Sequence, residues 1–564
     1  MDSFLSGFSY NTHLKLQKGH KAMIFDPNRV AWSLRDSYYR LYASSSGICL
    51  QTLEDRTKNR NLFFMENTEE ADVHVQEDKI SIVSEHASYT WTFYQGFYAV
   101  LKGNAPLVLH YDDNTAYRAH TAVQQDHVIH ICDTKTNAHI WLYAKQGQVH
   151  LDAEWKPGQI HSGNVSVHIE PESSDFEVVI YKTYSIGTPR LSCPDFEQCC
   201  AEKCADFADW CRKMWARSDI DREMAFVLWQ SIVAPLGNYK EETILCNKEG
   251  MNAVWSWDNC FHALGVAKAF PALAFYQLQL VYDNLDADGA IPDTICPFGV
   301  ERSFTKPPVH AFIYAILMKM HPYFCERTQI ERIYPAMRRN FFWWLHGRQN
   351  APIYWHGNES GADNATCFDR YPHIQSPDLY AMLSCTADPL STFAETLDDS
   401  ISAASYHAQA VQLAEEAEAR FYDGKQFFVR PMDDGSPLIT GSLLPQQALA
   451  AKYLTPGCKK QILSLLRSDF LGEYGLTSEA FASEKHLDGQ HEAYWRGSVW
   501  GCQQVILARA AELAGDRTLG KMILSRYKNA LQKGGASENS NSYTGEGNCG
   551  RAYCWSAAVW FFDL

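Results

Sequence analysis

Trp255, Trp257 and Asp258 crowd the start of a predicted helix in MNAVWSWDNCFHALG, Met251 to Gly265. Two indoles beside a carboxylate suit a sugar. A pyranose has apolar C–H faces that stack on aromatic rings, and its hydroxyls need fixed acceptors to replace lost water. The plainer reading makes Asp258 the N-cap of the helix. Four further clusters share the same mixture of Trp, Tyr, Asp, Glu, Gly and Pro. They are DADGAIPD (Asp286 to Asp293) with Thr305 to His310 after it, Trp355 to Asp369, YWRGSVW (Tyr494 to Trp500), and Ser537 to Trp555.

Cleavage of a glycosidic bond usually takes two carboxyl groups, one protonated to donate to the leaving oxygen and one ionised to activate water or attack carbon. Asp363 sits between Ala362 and Asn364 in a glycine-containing loop, where partial burial would raise its pKa. Glu538 lies among small polar residues, an environment in which it would stay ionised and hold a water. Either could equally be a solvated loop charge. Glu479 in TSEAF and Glu546 in TGEG are rival carboxylates.

These loops need a scaffold. At 564 residues the chain is too long for one ordinary core, so two domains are expected. Up to about Gly187 it reads as short β-type runs, such as Tyr89 to Leu101, His127 to Cys132 and Phe176 to Tyr184. Thr136–Asn137 and Gly147 read as hairpin turns, giving an antiparallel β-sandwich over residues 1–190. A segment with Pro and Cys, Thr188 to Asp195, opens a linker over 191–205. Beyond it the apolar period becomes that of a helix and stays so to residue 564. Expected helices include Met224 to Leu236, His310 to Met320, Ile401 to Tyr422, Leu443 to Leu454 and Trp500 to Ala514. Without a strict repeat, a closed ring of helical hairpins fits better than a solenoid, with loops at one end free to build a site.

Composition narrows the partners. With 46% hydrophobic and 21% charged residues the chain is a globular one, and 16 Trp, 29 Tyr and 29 Phe exceed ordinary packing needs. A net charge of −16 argues against nucleic acid and anionic membranes, which call for a basic surface. A small neutral carbohydrate fits better. The first twenty residues, MDSFLSGFSYNTHLKLQKGH, lack a secretory pattern, so the seventeen cysteines are expected as reduced thiols in the cytoplasm. Cys193, Cys199, Cys200, Cys204 and Cys211 lack paired C-x-x-C knuckles, and Cys200, Cys204 and Cys211 share one face of a predicted helix, so no metal is expected there. No motif calls for a cofactor, and the oligomeric state cannot be read.

Six ordered motifs then carry a resemblance. WSWD (Trp255–Asp258), DGAIPD (Asp288–Asp293), KPPVH (Lys306–His310), ESGADN (Glu359–Asn364), YWRGSVW, and Glu538 followed by TGEG and CWSAA occur in the order of family 63 glycoside hydrolases. The chain resembles that family from about residue 205 to the end. The resemblance implies an (α/α)6 barrel behind a β-sandwich, and an exo-acting inverting α-glycosidase, foremost an α-glucosidase. It makes Asp363 the general acid and Glu538 the general base. Asp258 would hold sugar hydroxyls, Trp255, Trp257, Tyr494, Trp495 and Trp500 would shape the pocket, and Lys306, Glu359, Gly361 and Arg496 would complete the binding set. Glu546 would orient its loop. Two positions depart from the pattern. Asn358 stands where some members have Trp, and Lys306 where some have Gln. Lys306 would either touch a substrate hydroxyl or an acidic aglycone, or stand exposed at a helix start.

Two other functions remain open to the sequence. An inverting phosphorylase would use a similar barrel with phosphate in place of the base, and it calls for basic or hydroxyl-rich loops. A sugar-binding protein would keep the aromatic cleft without turnover.

Overall fold

The computed structural model describes residues 23–54, 60–112, 120–134, 137–155, 158, 161–185, 187, 191–347, 352, 354, 356–433, 435–487 and 493–564. The first twenty residues, Thr136, Thr188 to Arg190 and Trp355, all used in the sequence reading, lie outside them.

Among the described residues, those before Tyr184 form two antiparallel sheets, one of nine strands and one of six. Alternation builds their shared core. In Val128–Asp133, Ile129 and Ile131 are buried while His130 and Cys132 are half-exposed, as a sheet with one covered face requires. Gly147 is not a hairpin turn. Strand Ala138–Gln146 belongs to the larger sheet and Gln148–Trp155 to the smaller, so the chain crosses between sheets at this point. The crossing needs glycine, because φ is +82° and a Cβ would meet the Glu170 carbonyl at 2.5 Å.

Helices follow from Phe196 onward, so α1 (Phe196–Met214) begins inside the expected linker. Its first turn packs Phe196, Cys199 and Cys200 onto Tyr98, Val100, Tyr143 and Val179 of the larger sheet. The remaining helices are α2 (Asp219–Gln230), α3 (Asp258–Val266), α4 (Pro271–Asp283), α5 (His310–Met320), α6 (Arg327–His346), the single turn α7 (Gly357–Ser360), α8 (Pro377–Thr396), α9 (Ser400–Phe421), α10 (Pro456–Leu465), α11 (Gly501–Leu513), α12 (Arg517–Gly534) and α13 (Cys554–Trp560). The ring α3, α5, α8, a 3₁₀ segment Leu444–Ala450, α11 and α13 closes on itself, and α2, α4, α6, α9, α10 and α12 pack outside it. This is an (α/α)6 barrel.

Burial separates the two layers. Every residue of α3 and the run Gly501 to Ala511 of α11 are buried, as befits helices enclosed on all sides. The expected helix over Leu443 to Leu454 is the short 3₁₀ segment instead. Pro445 at its start removes a backbone donor, and its seven residues are all buried.

Charged contacts tie the two parts together. Arg35 of the sandwich pairs with Glu242 at 2.8 Å and Asp206 at 3.2 Å, and Lys203 pairs with Asp36 at 3.3 Å. Lys248, fully buried, donates to the carbonyls of Leu34 at 2.8 Å and Ile232 at 3.2 Å. No helix among the described residues is long and apolar enough to cross a membrane.

Candidate active site

The loops at one end of the barrel bring the sequence motifs together. Asp258 is the first residue of α3, and its carboxylate does not cap the helix, since the N-cap position falls on Trp257 without a side-chain bond. Instead the carboxylate accepts a hydrogen bond from the Tyr553 hydroxyl at 2.9 Å. Burial pushes its pKa up to about 7, against the lowering effects of Tyr553 and Lys306, with Glu538 adding to the rise. Sequence reasoning misses Tyr553. It stands just before the CWSAA motif, but only the closed ring brings it to α3.

Asp363 follows a compact turn. His356 caps α7 by accepting the Asn358 N–H, and Gly361 ends it at φ +73°, close against the Trp257 ring. A Cβ at Gly361 would stand 2.6 Å from that indole, so glycine lets the loop descend onto it. Glu359 is buried in the same turn. Burial raises the Asp363 pKa, Lys306 and His356 oppose the rise, and Asp293 adds to it. Its Oδ1 is buried and finds no hydrogen-bond partner among the described residues. A cavity of about 430 Å³ opens beside it, lined by His356, Asn364, Phe368, Arg370, Tyr371 and Arg496 among others.

Several partners hold this loop. Asn364 accepts from the Trp495 amide at 2.8 Å through its side chain and from Arg496 Nε at 2.8 Å through its carbonyl. Arg496 also pairs with Asp369, so its guanidinium is committed to the loop. Glu479 accepts from Thr366 at 2.8 Å and Ser483 at 2.6 Å, which makes this rival carboxylate a strut. The other rival, Glu546, is exposed and accepts from Thr544 at 3.2 Å within its own turn.

Glu538 is buried. Its Oε1 accepts from the Tyr494 hydroxyl at 2.9 Å and its Oε2 from the Gly550 amide at 3.3 Å. Its own amide donates to the Gly550 carbonyl at 2.6 Å, and its carbonyl accepts from Trp555 Nε1 at 2.8 Å. Tyr494, Cys549 and Ala552 all take positive φ, so backbone strain gathers around this carboxylate as it does at working sites. Burial raises the Tyr494 pKa far above the phenol range, and the nearby charges of Glu538 and Asp363 add to the rise.

The aromatic residues divide by burial. Trp495 stacks on Trp500 at 3.8 Å, and Trp257 and Trp500 meet Trp555 edge-on at 5.8 and 5.7 Å. All four are buried and brace one another. Trp255 and Tyr494 are only half-buried and keep open surface for a ligand.

Lys306 is not exposed. Its ammonium bridges Asp293 at 3.3 Å and the Asn358 carbonyl at 2.8 Å, which pins the loop that precedes Asp363. Replacing it with Gln removes a cation that opposes the rise of the Asp363 pKa. The pH–activity profile of Lys306→Gln is therefore expected to move its alkaline limb to higher pH, provided Asp363 must be protonated. An unmoved alkaline limb would show that Asp363 does not set it.

The model of the mannosylglycerate hydrolase MGH1-like glycoside hydrolase domain matches residues 251–556, more than half of the chain and all of these loops. The chain belongs to this glycoside hydrolase family. No curated protein sequence matches it. Solved structures share the fold. A GH63 mannosylglycerate hydrolase from Thermus thermophilus in complex with glucose superposes with a TM-score of 0.53 at 19% identity, covering 60% of this chain and 98% of that one. A bacterial glucoamylase complexed with acarbose superposes at 0.55 with 12% identity and covers 94% of both chains, so sandwich and barrel together have a counterpart. A GH92 α-mannosidase from Bacteroides thetaiotaomicron reaches 0.60 at 11% identity, covering 94% of this chain and 81% of that one.

Proposed function

We propose that this glycoside hydrolase removes single sugars from the ends of short α-linked oligosaccharides or small α-glucosides, with inversion. Asp363 protonates the leaving oxygen, and Glu538 takes the proton from the attacking water. One observation carries the reading. Asp363 has a raised pKa and an unpartnered buried oxygen beside a cavity, the state of a proton donor awaiting an acceptor. Glu538 instead receives hydrogen bonds at both oxygens, the state of a group that takes protons. Asp258, braced by Tyr553, holds sugar hydroxyls, and the half-buried Trp255 and Tyr494 meet the ring faces.

The binding of glucose by the Thermus hydrolase supports glucose as the sugar held. The cavity beside Asp363 suits a small leaving group. The sandwich and the barrel act as one unit, and free thiols at all seventeen cysteines suit the reducing cytoplasm.

Turnover of a panel of α-glucosides and α-mannosides, with and without inorganic phosphate, tests this. Free glucose released at a rate independent of phosphate is expected. Phosphate-dependent release as a sugar phosphate would make the enzyme a phosphorylase, and binding without release would make it a sugar-binding protein.

A further inference from the structure

The β-sandwich touches the loop that carries Glu538 through a continuous chain of polar contacts. Arg40 and Gln51 face each other on strands Tyr39–Ser44 and Gly47–Thr52. Arg40 Nε donates to Gln51 Oε1 at 2.7 Å, and Gln51 donates to Asn61 on the next strand at 2.6 Å. The guanidinium is thereby fixed in the sheet and buried. Its outer edge donates to the Lys248 carbonyl at 3.1 Å and pairs with Glu249 at 3.4 Å.

Glu249 is shared. From the opposite side Arg551 approaches the same Oε2 at 3.3 Å. Arg551 directly follows Gly550, whose amide and carbonyl grip Glu538. The turn carrying Glu249 is itself stiff, because Asn247 Oδ1 accepts from the amides of Glu249, Gly250 and Met251 at 2.9 to 3.0 Å. Asn252, just beyond, donates to the Leu53 carbonyl of the sandwich at 2.9 Å. One carboxylate thus bridges two guanidiniums from the two halves of the molecule. Without it they would repel each other at low dielectric.

We propose that Glu249, clamped between Arg40 of the sandwich and Arg551 of the Gly550 loop, is a positioning residue that fixes where Glu538 holds the attacking water. The inference rests on Glu538 being the general base. It gives the sandwich a part in the reaction itself, since Arg40 is the fixed end from which the aim is set. The Cys549 and Ala552 backbones on either side are strained, so the loop needs such an external hold.

Glu249→Gln removes the clamp, and Arg551→Gln removes only its half-exposed loop end, so the second variant is safe for folding. Both full-length variants are assayed on an α-glucoside and on α-glucosyl fluoride, whose leaving fluoride needs no acid. A misplaced base lowers kcat by about 10- to 100-fold with KM little changed. The same defect is expected on the fluoride, with partial recovery in azide and an unchanged unfolding midpoint for Arg551→Gln. Wild-type kcat in folded Arg551→Gln, a loss confined to KM, or a loss repaired by the fluoride would overturn the proposal. Glu538→Gln runs beside them. Wild-type activity there would remove the base assignment and the proposal with it, whereas an inactive Glu538→Gln beside a fully active Arg551→Gln would remove the proposal alone.

Discussion

Asp363→Asn is expected to lose about 10²- to 10⁴-fold in kcat on an ordinary α-glucoside, with little change in KM. The amide keeps the shape of the carboxyl and cannot donate an acidic proton. The unpartnered Oδ1 means that the exchange breaks no hydrogen bond at that atom. On α-glucosyl fluoride the variant should recover most of its rate, because fluoride leaves without protonation. Stability supplies an independent sign. Burial raises the folded-state pKa of Asp363, so this group costs stability as pH rises from the ordinary carboxylate value through the folded one. The Asn variant has no such group, and its unfolding midpoint should hold or rise relative to wild type at neutral pH. A folded variant with full activity on the glucoside would refute the acid assignment.

Glu538→Gln is expected to lose at least as much, and its loss has the opposite pattern. Without the carboxylate nothing takes the proton from water, so a better leaving group does not help. Azide needs no deprotonation and should restore turnover, with a β-glucosyl azide as product. The hydrogen bond from Tyr494 can still reach the amide oxygen, whereas the one from the Gly550 amide is lost. Recovery on the fluoride alone would exchange the roles of Glu538 and Asp363. The two variants together separate acid from base by leaving-group chemistry rather than by the size of the loss.

Much of this design is legible in the sequence because it is periodic or local. The shift from strand alternation to helical period marks the two parts of the chain, and His310 to Met320 is a helix with the expected bounds. Six short motifs in order place the loops. What escapes is what the closed ring creates. Tyr553 meets Asp258 across 295 positions of sequence, and Arg551 meets Glu249 across 302, and no local pattern encodes either pair. Lys306 reads either as a substrate contact or as an exposed helix-start cation until Asp293 is folded against it. Gly147 reads as a hairpin turn because a positive φ serves a turn and a sheet crossing equally well. Trp257, Trp495 and Trp500 read as aromatics that shape a pocket, and their rings also pack on one another. Residue type announces stacking, but it does not say whether the partner is a sugar or another indole.

The central claim is inversion by the pair Asp363 and Glu538, and proton NMR of the sugar at the moment of its release tests it most directly. With an α-glucoside as substrate, the account predicts that β-glucose appears first and that the α-anomer grows in only through mutarotation. α-Glucose first would mean a covalent intermediate and retention, and would contradict the roles assigned to both carboxyl groups.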